Sequence, residues 1–222
     1  MIDFALARRA MVDSQVRTFD VNDLPLLAVL DELPRENFVP AGRENLAYID
    51  RDMCVSDGIN GAEKRFMLSP MVLARLIQDL GPRPGERVLD IACGLGYSTA
   101  AMARLGAKVT GLESSEAMAA ETRTRLAGVG VEAEVAVGDL KAGLPQAAPF
   151  DAILVNGTVE ERPEALLQQL AEGGRLACVL GTGRVGRATL FTRAGDAFGS
   201  RALFDAHATA LPAFRREPGF VF

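Results

Sequence analysis

Between residues 69 and 181 helical patterns and short apolar runs take turns, and no other feature of the chain constrains its fold as tightly. SPMVLARLIQDL (69–80) has helical spacing and is ended by GPRPG; RVLDIA (87–92) reads as a strand. YSTAAMARLG (97–106), SEAMAAETRTRLAGVG (115–130) and PEALLQQLAEGG (163–174) read as helices, and KVTGLE (108–113), EAEVAVGD (132–139), FDAILVNG (150–157) and RLACVLG (175–181) as strands. Strands that alternate with helices must be joined by crossovers. The expectation is therefore a doubly wound, mostly parallel α/β sheet with helices on both faces and ligands at the carboxyl ends of its strands. RATLFTRAG (187–195) and SRALFDAHATAL (200–211) have strand character with no helix between them, so they are expected as antiparallel strands at the sheet's edge.

Ahead of this core, FALARRAMVDSQVRTF (4–19) places Phe4, Ala7, Met11 and Phe19 near one helical face. Asn22 can cap a second helix whose Leu26, Leu30 and Leu33 pack inward, with Pro34 after its end. Residues 41–68 show turn residues, mixed charge and no sustained period, the pattern of an ordered loop region. With 222 residues and no internal linker, the reading is a single domain over 1–222: an N-terminal helical and loop cover (1–68) and a ligand-binding core (69–222).

Composition narrows the function classes. Twenty-four basic and 29 acidic residues give a net charge of −5, which supports neither a nucleic-acid nor a membrane partner. No apolar run reaches the ~20 residues of a membrane span, and the N-terminus lacks a signal-peptide profile; the expected location is cytoplasmic. Cys54, Cys93 and Cys178 are odd in number and far apart, which argues against a disulfide framework and a zinc site. One histidine, His207, makes a multi-histidine metal centre untenable and a Ser/His/Asp triad a poor fit.

The chemistry concentrates at DIACGLG (90–96), a glycine turn that follows a strand. A dinucleotide fingerprint would run Gly94, Gly96, Thr99, and its third position fits badly. Asp90 would also raise the electrostatic cost of a pyrophosphate there. S-adenosylmethionine has no phosphate and brings an ammonium and a sulfonium, so an acid before a glycine turn suits it, and the glycines allow close backbone approach. Ala92 stands where the first glycine of an acid-x-Gly-x-Gly-x-Gly pattern would be. Glu113, about 20 residues past the glycines, is placed to accept hydrogen bonds from ribose hydroxyls. Asp139 ends the next strand, where it could accept from the adenine amino group. Each acid alone could equally be a solvated strand end or a helix cap; three at successive strand ends favour the nucleoside. GTGRVG (181–186) matches a phosphate-binding pattern literally, but strand-like residues follow it, so it reads as a hairpin turn.

These stretches resemble the protein-L-isoaspartate O-methyltransferase family along most of the chain: MVDSQVR from Met11, LPRENFVP (33–40), AYIDR (47–51), PGERVLDIACGLGYSTA (84–100), VTGLES, VAVGD, GLPQAAPFDAILV and LLQQLAEGGRL (166–176). The resemblance implies a Rossmann-like methyltransferase fold. It also implies methyl transfer from S-adenosylmethionine to the α-carboxylate of isoaspartyl residues in damaged proteins, which lets the abnormal linkage return to aspartate. A carboxylate acceptor is already ionised and needs no general base. The donor-binding positions carried over are Asp90, Ala92, Cys93, Gly94, Gly96, Tyr97, Glu113, Ser114, Asp139, Leu140 and Asn156, with no metal.

On the acceptor side the chain departs from the family. Where members have Gly-Gln then Thr-Ile-Ser, this sequence reads GAEKRFMLSPMV. Ser69 either takes the family serine's place, across a gap, or caps the helix beginning at Pro70. Arg65 is either an acceptor contact able to hold a carboxylate in bidentate fashion or a surface salt bridge. Leu140 replaces a glycine, and Asn156-Gly157-Thr158 replaces a Thr-Ala-Ala type stretch. The alternatives to isoaspartyl repair are a methyltransferase for a different acceptor and a non-catalytic S-adenosylmethionine-binding module.

Overall fold

A computed structural model describes residues 2–58, 63–183 and 185–216. Seven strands form the main sheet: β3 (Arg87–Ile91), β4 (Lys108–Glu113), β5 (Glu134–Val137), β6 (Phe150–Val159), β7 (Leu170–Leu180), β8 (Gly186–Ala194) and β9 (Ala197–Ala206). Their order across the sheet is β5-β4-β3-β6-β7-β8-β9. β3 to β7 run parallel, and β8 and β9 join antiparallel at the edge, as the tail's strand character implies. The 181–186 segment is the connection between β7 and β8, not a phosphate turn; residue 184 lies outside the described residues. Since the chain leaves β3 toward β4 on one side and returns as β6 on the other, the end of β3 is the switch point at which such sheets hold ligands.

One face of the sheet is covered by α3 (Pro70–Leu80), α4 (Tyr97–Arg104) and α5 (Glu116–Gly128). The N-terminal helices α1 (Phe4–Met11) and α2 (Leu24–Glu32) pack into the same core. α3 shows how local chemistry sets an element. Proline occupies its first turn, Leu73, Leu76, Ile77 and Leu80 are buried, and Gly81 ends it in the left-handed region at φ +59. The opposite face has its own core, built from the short α6 (Glu164–Leu167) and the segments around Leu140, Leu144, Leu211 and Phe214.

Four readings are corrected. α2 is capped by Asp23, whose Oδ1 accepts from Leu26 N at 2.8 Å; the Asn22 and Asp23 amides instead donate to Gln78 Oε1 of α3. Beyond Met11 the first helix widens to a π turn (Val12–Val16) and then tightens to a 3-10 turn (Arg17–Phe19). There Ser14 and Thr18 hydroxyls bond back to carbonyls four residues earlier, a distortion typical of those residues. The 163–174 helix is cut to α6 because buried Gln169 is drawn into tertiary bonds with Leu144 N and Ala142 O, beside a local bond to Ala165 O, and β7 starts at Leu170. Finally, the 41–68 region contains an antiparallel hairpin, β1 (Met53–Ser56) and β2 (Arg65–Met67), with Met53, Val55, Arg65 and Met67 buried. An arginine at an inward position hides the period of so short a strand.

Candidate functional site

The glycine turn leaves β3 at its switch point. Ala92 at φ +57, Gly94 at +60 and Gly96 at +94 all lie in the left-handed region, which an alanine tolerates only with strain. Gly96 is also sterically required, since a Cβ there would stand 2.9 Å from Thr122 Cγ2 and 3.2 Å from Leu126 Cγ. Thr122 Oγ1 donates to Gly94 O at 2.6 Å, tying the turn to α5. Cys93 lies against Gly111 of β4, where a Cβ would come within 2.9 Å of its sulfur, and burial pushes its thiol well above the ordinary range.

Asp90 is wholly buried (0% exposed) and turned onto the chain's own donors. Ser98 Oγ and Thr99 Oγ1 donate to its Oδ2 at 2.7 and 2.6 Å, and Asn156 Nδ2 to its Oδ1 at 2.7 Å. Burial raises its pKa to about 6; these three hydrogen bonds oppose the rise and nearby Glu113 adds to it. The carboxylate that the sequence offers to a ligand's ammonium is here occupied by three of the chain's own donors. A buried acid needs donors, and the first turn of α4 and β6 supply them. Asn156 also donates to Ile91 O at 3.1 Å, so it braces the end of β3.

Glu113, 1% exposed, is held by Arg65, also 1% exposed. Arg65 Nε donates to both carboxylate oxygens at 3.0 and 3.2 Å and Nη2 to Oε2 at 3.1 Å. Gly94 N and Ser114 N complete the set at 2.7 and 3.1 Å. Arg65 Nη2 reaches Ser114 Oγ at 3.2 Å as well, while among the described residues Arg65 Nη1 is buried without a hydrogen-bond partner. Arg65 is therefore neither a surface salt bridge nor, as placed here, a free acceptor contact. The hairpin lies directly on the turn: a Cβ at Gly94 would stand 3.3 Å from Val55 Cγ2 and 3.5 Å from Arg65 Cγ.

The remaining candidates divide. Asp139 is exposed at the end of β5 and accepts from Lys141 N at 2.8 Å. Leu140 is buried in the core of the opposite face. Tyr97 lies 4.7 Å beneath the Arg35 guanidinium and edge-on to Phe38 at 5.5 Å, in the contact between cover and core. Ser69 occupies the cap position of α3, but its side chain makes no capping bond; its amide donates to Asp52 Oδ1 at 3.0 Å. Asp52 Oδ2 accepts from Thr209 N and Oγ1 at 2.7 and 2.9 Å, so this one carboxylate clips the C-terminal segment to the start of α3. Asp52, Ser98 and Arg35 escape the sequence reading. Ser98 directly follows the turn, and the demand of a buried acid for donors is the signal that could have found it.

Two cavities flank β2. One of about 590 Å³ is bordered by Phe19, Asp50, Asp52, Ser69, His207 and Thr209 among others; the other, about 10 Å³, lies at the turn beside Ala92, Cys93, Tyr97 and Asn156. Phe66 borders both, so β2 is the partition between them. A larger hollow of about 850 Å³ lies near Lys108, Glu134 and Phe150, which are the amino ends of their strands, away from the turn. Among the described residues no group of three His, Cys, Asp or Glu side chains could hold a metal ion, and no helix is long and apolar enough to cross a membrane.

For S-adenosylmethionine the backbone frame and the residues on it diverge. The frame suits a nucleoside: a left-handed turn at the switch point with an acid at the end of the next strand. The side chains on it are turned onto one another: both oxygens of Glu113 are engaged by Arg65, so a ribose on that acid has to displace the guanidinium.

The sequence pattern of the protein-L-isoaspartate(D-aspartate) O-methyltransferase family matches residues 8–203. A protein-L-isoaspartate O-methyltransferase of Methylorubrum populi is 40% identical over 79% of this chain and 80% of its own length, and one of Roseiflexus castenholzii 37% identical over 92% and 91%. Among solved structures, a protein-L-isoaspartate O-methyltransferase superposes with a TM-score of 0.79 at 26% identity; the match covers 92% of this chain and 65% of that one. A Plasmodium falciparum protein solved with S-adenosyl-L-homocysteine shares the fold (TM-score 0.77, 20% identity, 93% of this chain and 98% of that one).

Proposed function

The chain belongs to the protein-L-isoaspartate(D-aspartate) O-methyltransferase family, and from that premise we propose that it methylates the α-carboxylate of isoaspartyl residues in damaged proteins or peptides, with S-adenosylmethionine as methyl donor. The observation that carries this reading is the similarity to curated relatives of that activity over four fifths or more of their length. The acceptor carboxylate is itself the nucleophile, so this chain's residues have to orient it and exclude water, not remove a proton. The 590 Å³ cavity beside Ser69 is the acceptor site in this reading, and the wall from Ala92 to Tyr97, with Glu113, Ser114 and Asp139, the donor side. Asp90 and Asn156 hold that wall in shape, and Cys93 and Leu140 pack behind it. The unit is proposed as one domain, 1–68 covering 69–222, that works in the cytoplasm on protein acceptors and not on nucleic acid.

The test is incubation with methyl-labelled S-adenosylmethionine and an isoaspartyl peptide beside its aspartyl twin. Labelling of the isoaspartyl peptide alone is the expected result; equal labelling, or none, rejects it. A second reading, the same donor with a different acceptor or with none, is favoured by GAEKRFMLSPMV where family members have Gly-Gln then Thr-Ile-Ser, and by the acids Asp50, Asp52 and Asp205 around the larger cavity. Donor binding without preference for isoaspartate supports it.

A further inference from the structure

We propose that Arg65 is a plug for the donor site: it competes with a nucleoside ligand for Glu113, and donor affinity is set by how readily β2 lifts from the turn. The inference rests on the reading of the turn as a methyl-donor site and goes beyond it by assigning control of that site to one side chain.

Three independent features lead there. First, Arg65 engages the acid that a ribose diol would need, with three hydrogen bonds of 3.0–3.2 Å in a place sealed from solvent, so ligand and guanidinium cannot use the same carboxylate oxygens together. Second, the obstruction is the hairpin itself. Val55 and the Arg65 stem fill the face of Gly94 that a glycine leaves open for close approach. Third, the plug is imperfectly satisfied. Among the described residues Arg65 Nη1 is buried with no acceptor, and a second carboxylate, Glu63, stands 3.7 Å from Nη2 with its Oε2 also lacking a hydrogen bond. Arg35 Nη1 is likewise without an acceptor among the described residues, so what sets Arg65 apart is that its main anchor is a side-chain carboxylate and not backbone carbonyls.

The partition has a mechanistic corollary. Phe66, next to Arg65, separates the turn from the 590 Å³ cavity. Methyl transfer requires donor and acceptor to touch, so the strand that keeps Arg65 on Glu113 also keeps the two cavities apart. Lifting β2 both clears Glu113 and joins them.

The test is isothermal titration of S-adenosylhomocysteine into the wild-type chain and Arg65→Ala. At least tenfold tighter binding by the variant is expected; equal or weaker binding by a folded variant overturns the plug. Because Arg65→Ala leaves a buried carboxylate without its cation, the neutral pair Arg65→Ala/Glu113→Gln is compared with Glu113→Gln alone, and again tighter binding by the double variant is expected and unchanged binding is fatal. Hydrogen exchange on the wild-type chain gives a readout without mutation: saturating S-adenosylhomocysteine should speed exchange at the Phe66 and Met67 amides, and unaltered protection there with ligand bound refutes the lifting of β2. Tight, equal binding by wild type and variant sinks the plug alone, whereas no binding by either sinks both the plug and the donor reading.

Discussion

Arg35 and Arg65 are the largest fully buried side chains among the described residues, and the chain anchors them on different groups. Arg35 donates to the carbonyls of Ala47 and Leu68 at 2.8 and 2.6 Å and lies over the Tyr97 ring; burial lowers its pKa, and no ion pair to it occurs among the described residues. Arg65 grips a carboxylate at a strand end where ligands of this fold sit. Backbone carbonyls belong to the chain and can be surrendered only by unfolding it, so Arg35 is a fixed pin between the cover, the approach to Ser69 and α4. A side-chain carboxylate can exchange its partner. The pair teaches that burial does not by itself mark an arginine as structural; what it is bonded to decides whether it can move.

The sharpest way to break this comparison is to remove one member of the pair. Glu113→Ala leaves Arg65 buried without its anion and should cost about 3–5 kcal/mol of stability, read from urea midpoints. The double variant Arg65→Met/Glu113→Leu should cost less than Glu113→Ala alone, because it leaves no charge stranded. Losses that simply add would show that the two side chains do not depend on each other. Arg35→Ala should cost about 3 kcal/mol, since two buried carbonyls lose their donors and the ring contact is lost. Combined with Glu113→Ala it should be additive to within about 0.5 kcal/mol; a larger coupling would merge the two corners into one.

Asp90 extends the comparison to an acid that has hydrogen-bond donors but, among the described residues, no ion pair. Its folded pKa of about 6 lies above the ordinary 3.8, so the folded chain holds the proton more tightly than the unfolded chain. Its contribution is therefore most favourable below pH 4, weakens as pH rises from 4 to 6, and carries its full cost above 6. That cost is about 2–3 kcal/mol. Asp90→Asn removes this component, so its stability relative to wild type should improve by that amount between pH 4 and pH 7 in urea titrations; a difference independent of pH would contradict the burial of an ionisable group there. The smallest effect is at the turn. Ala92→Gly relieves a left-handed alanine but loosens the unfolded chain, for a net gain under about 1 kcal/mol, measurable as a small rise in Tm. A loss would mean that the Ala92 methyl contributes more to the core than its backbone angle costs.

The alternation of strands and helices was legible because its signals are local: continuous apolar runs, Pro70 at a helix start and Gly81 at its end. The turn at 92–96 and the three acids were legible as positions for the same reason. Their partners were not. Arg65 is 48 residues from Glu113, and Asn156 is 66 from Asp90, separations at which spacing carries no information. Thr99 reads as a misfit while the turn is compared with a dinucleotide fingerprint and becomes apt once Asp90 is known to be buried and in need of a hydroxyl. The β1–β2 hairpin escaped because an arginine occupies one of its inward positions, and the shortening of α6 because a single buried glutamine overrides helical propensity through tertiary bonds.

The most direct measurement is a crystal structure of the wild-type chain with S-adenosylhomocysteine bound. The expected result is ribose hydroxyls on Glu113, with Arg65 withdrawn and Phe66 no longer dividing the two cavities. Arg65 still seated on Glu113, with the ligand bound clear of the turn, would contradict the account.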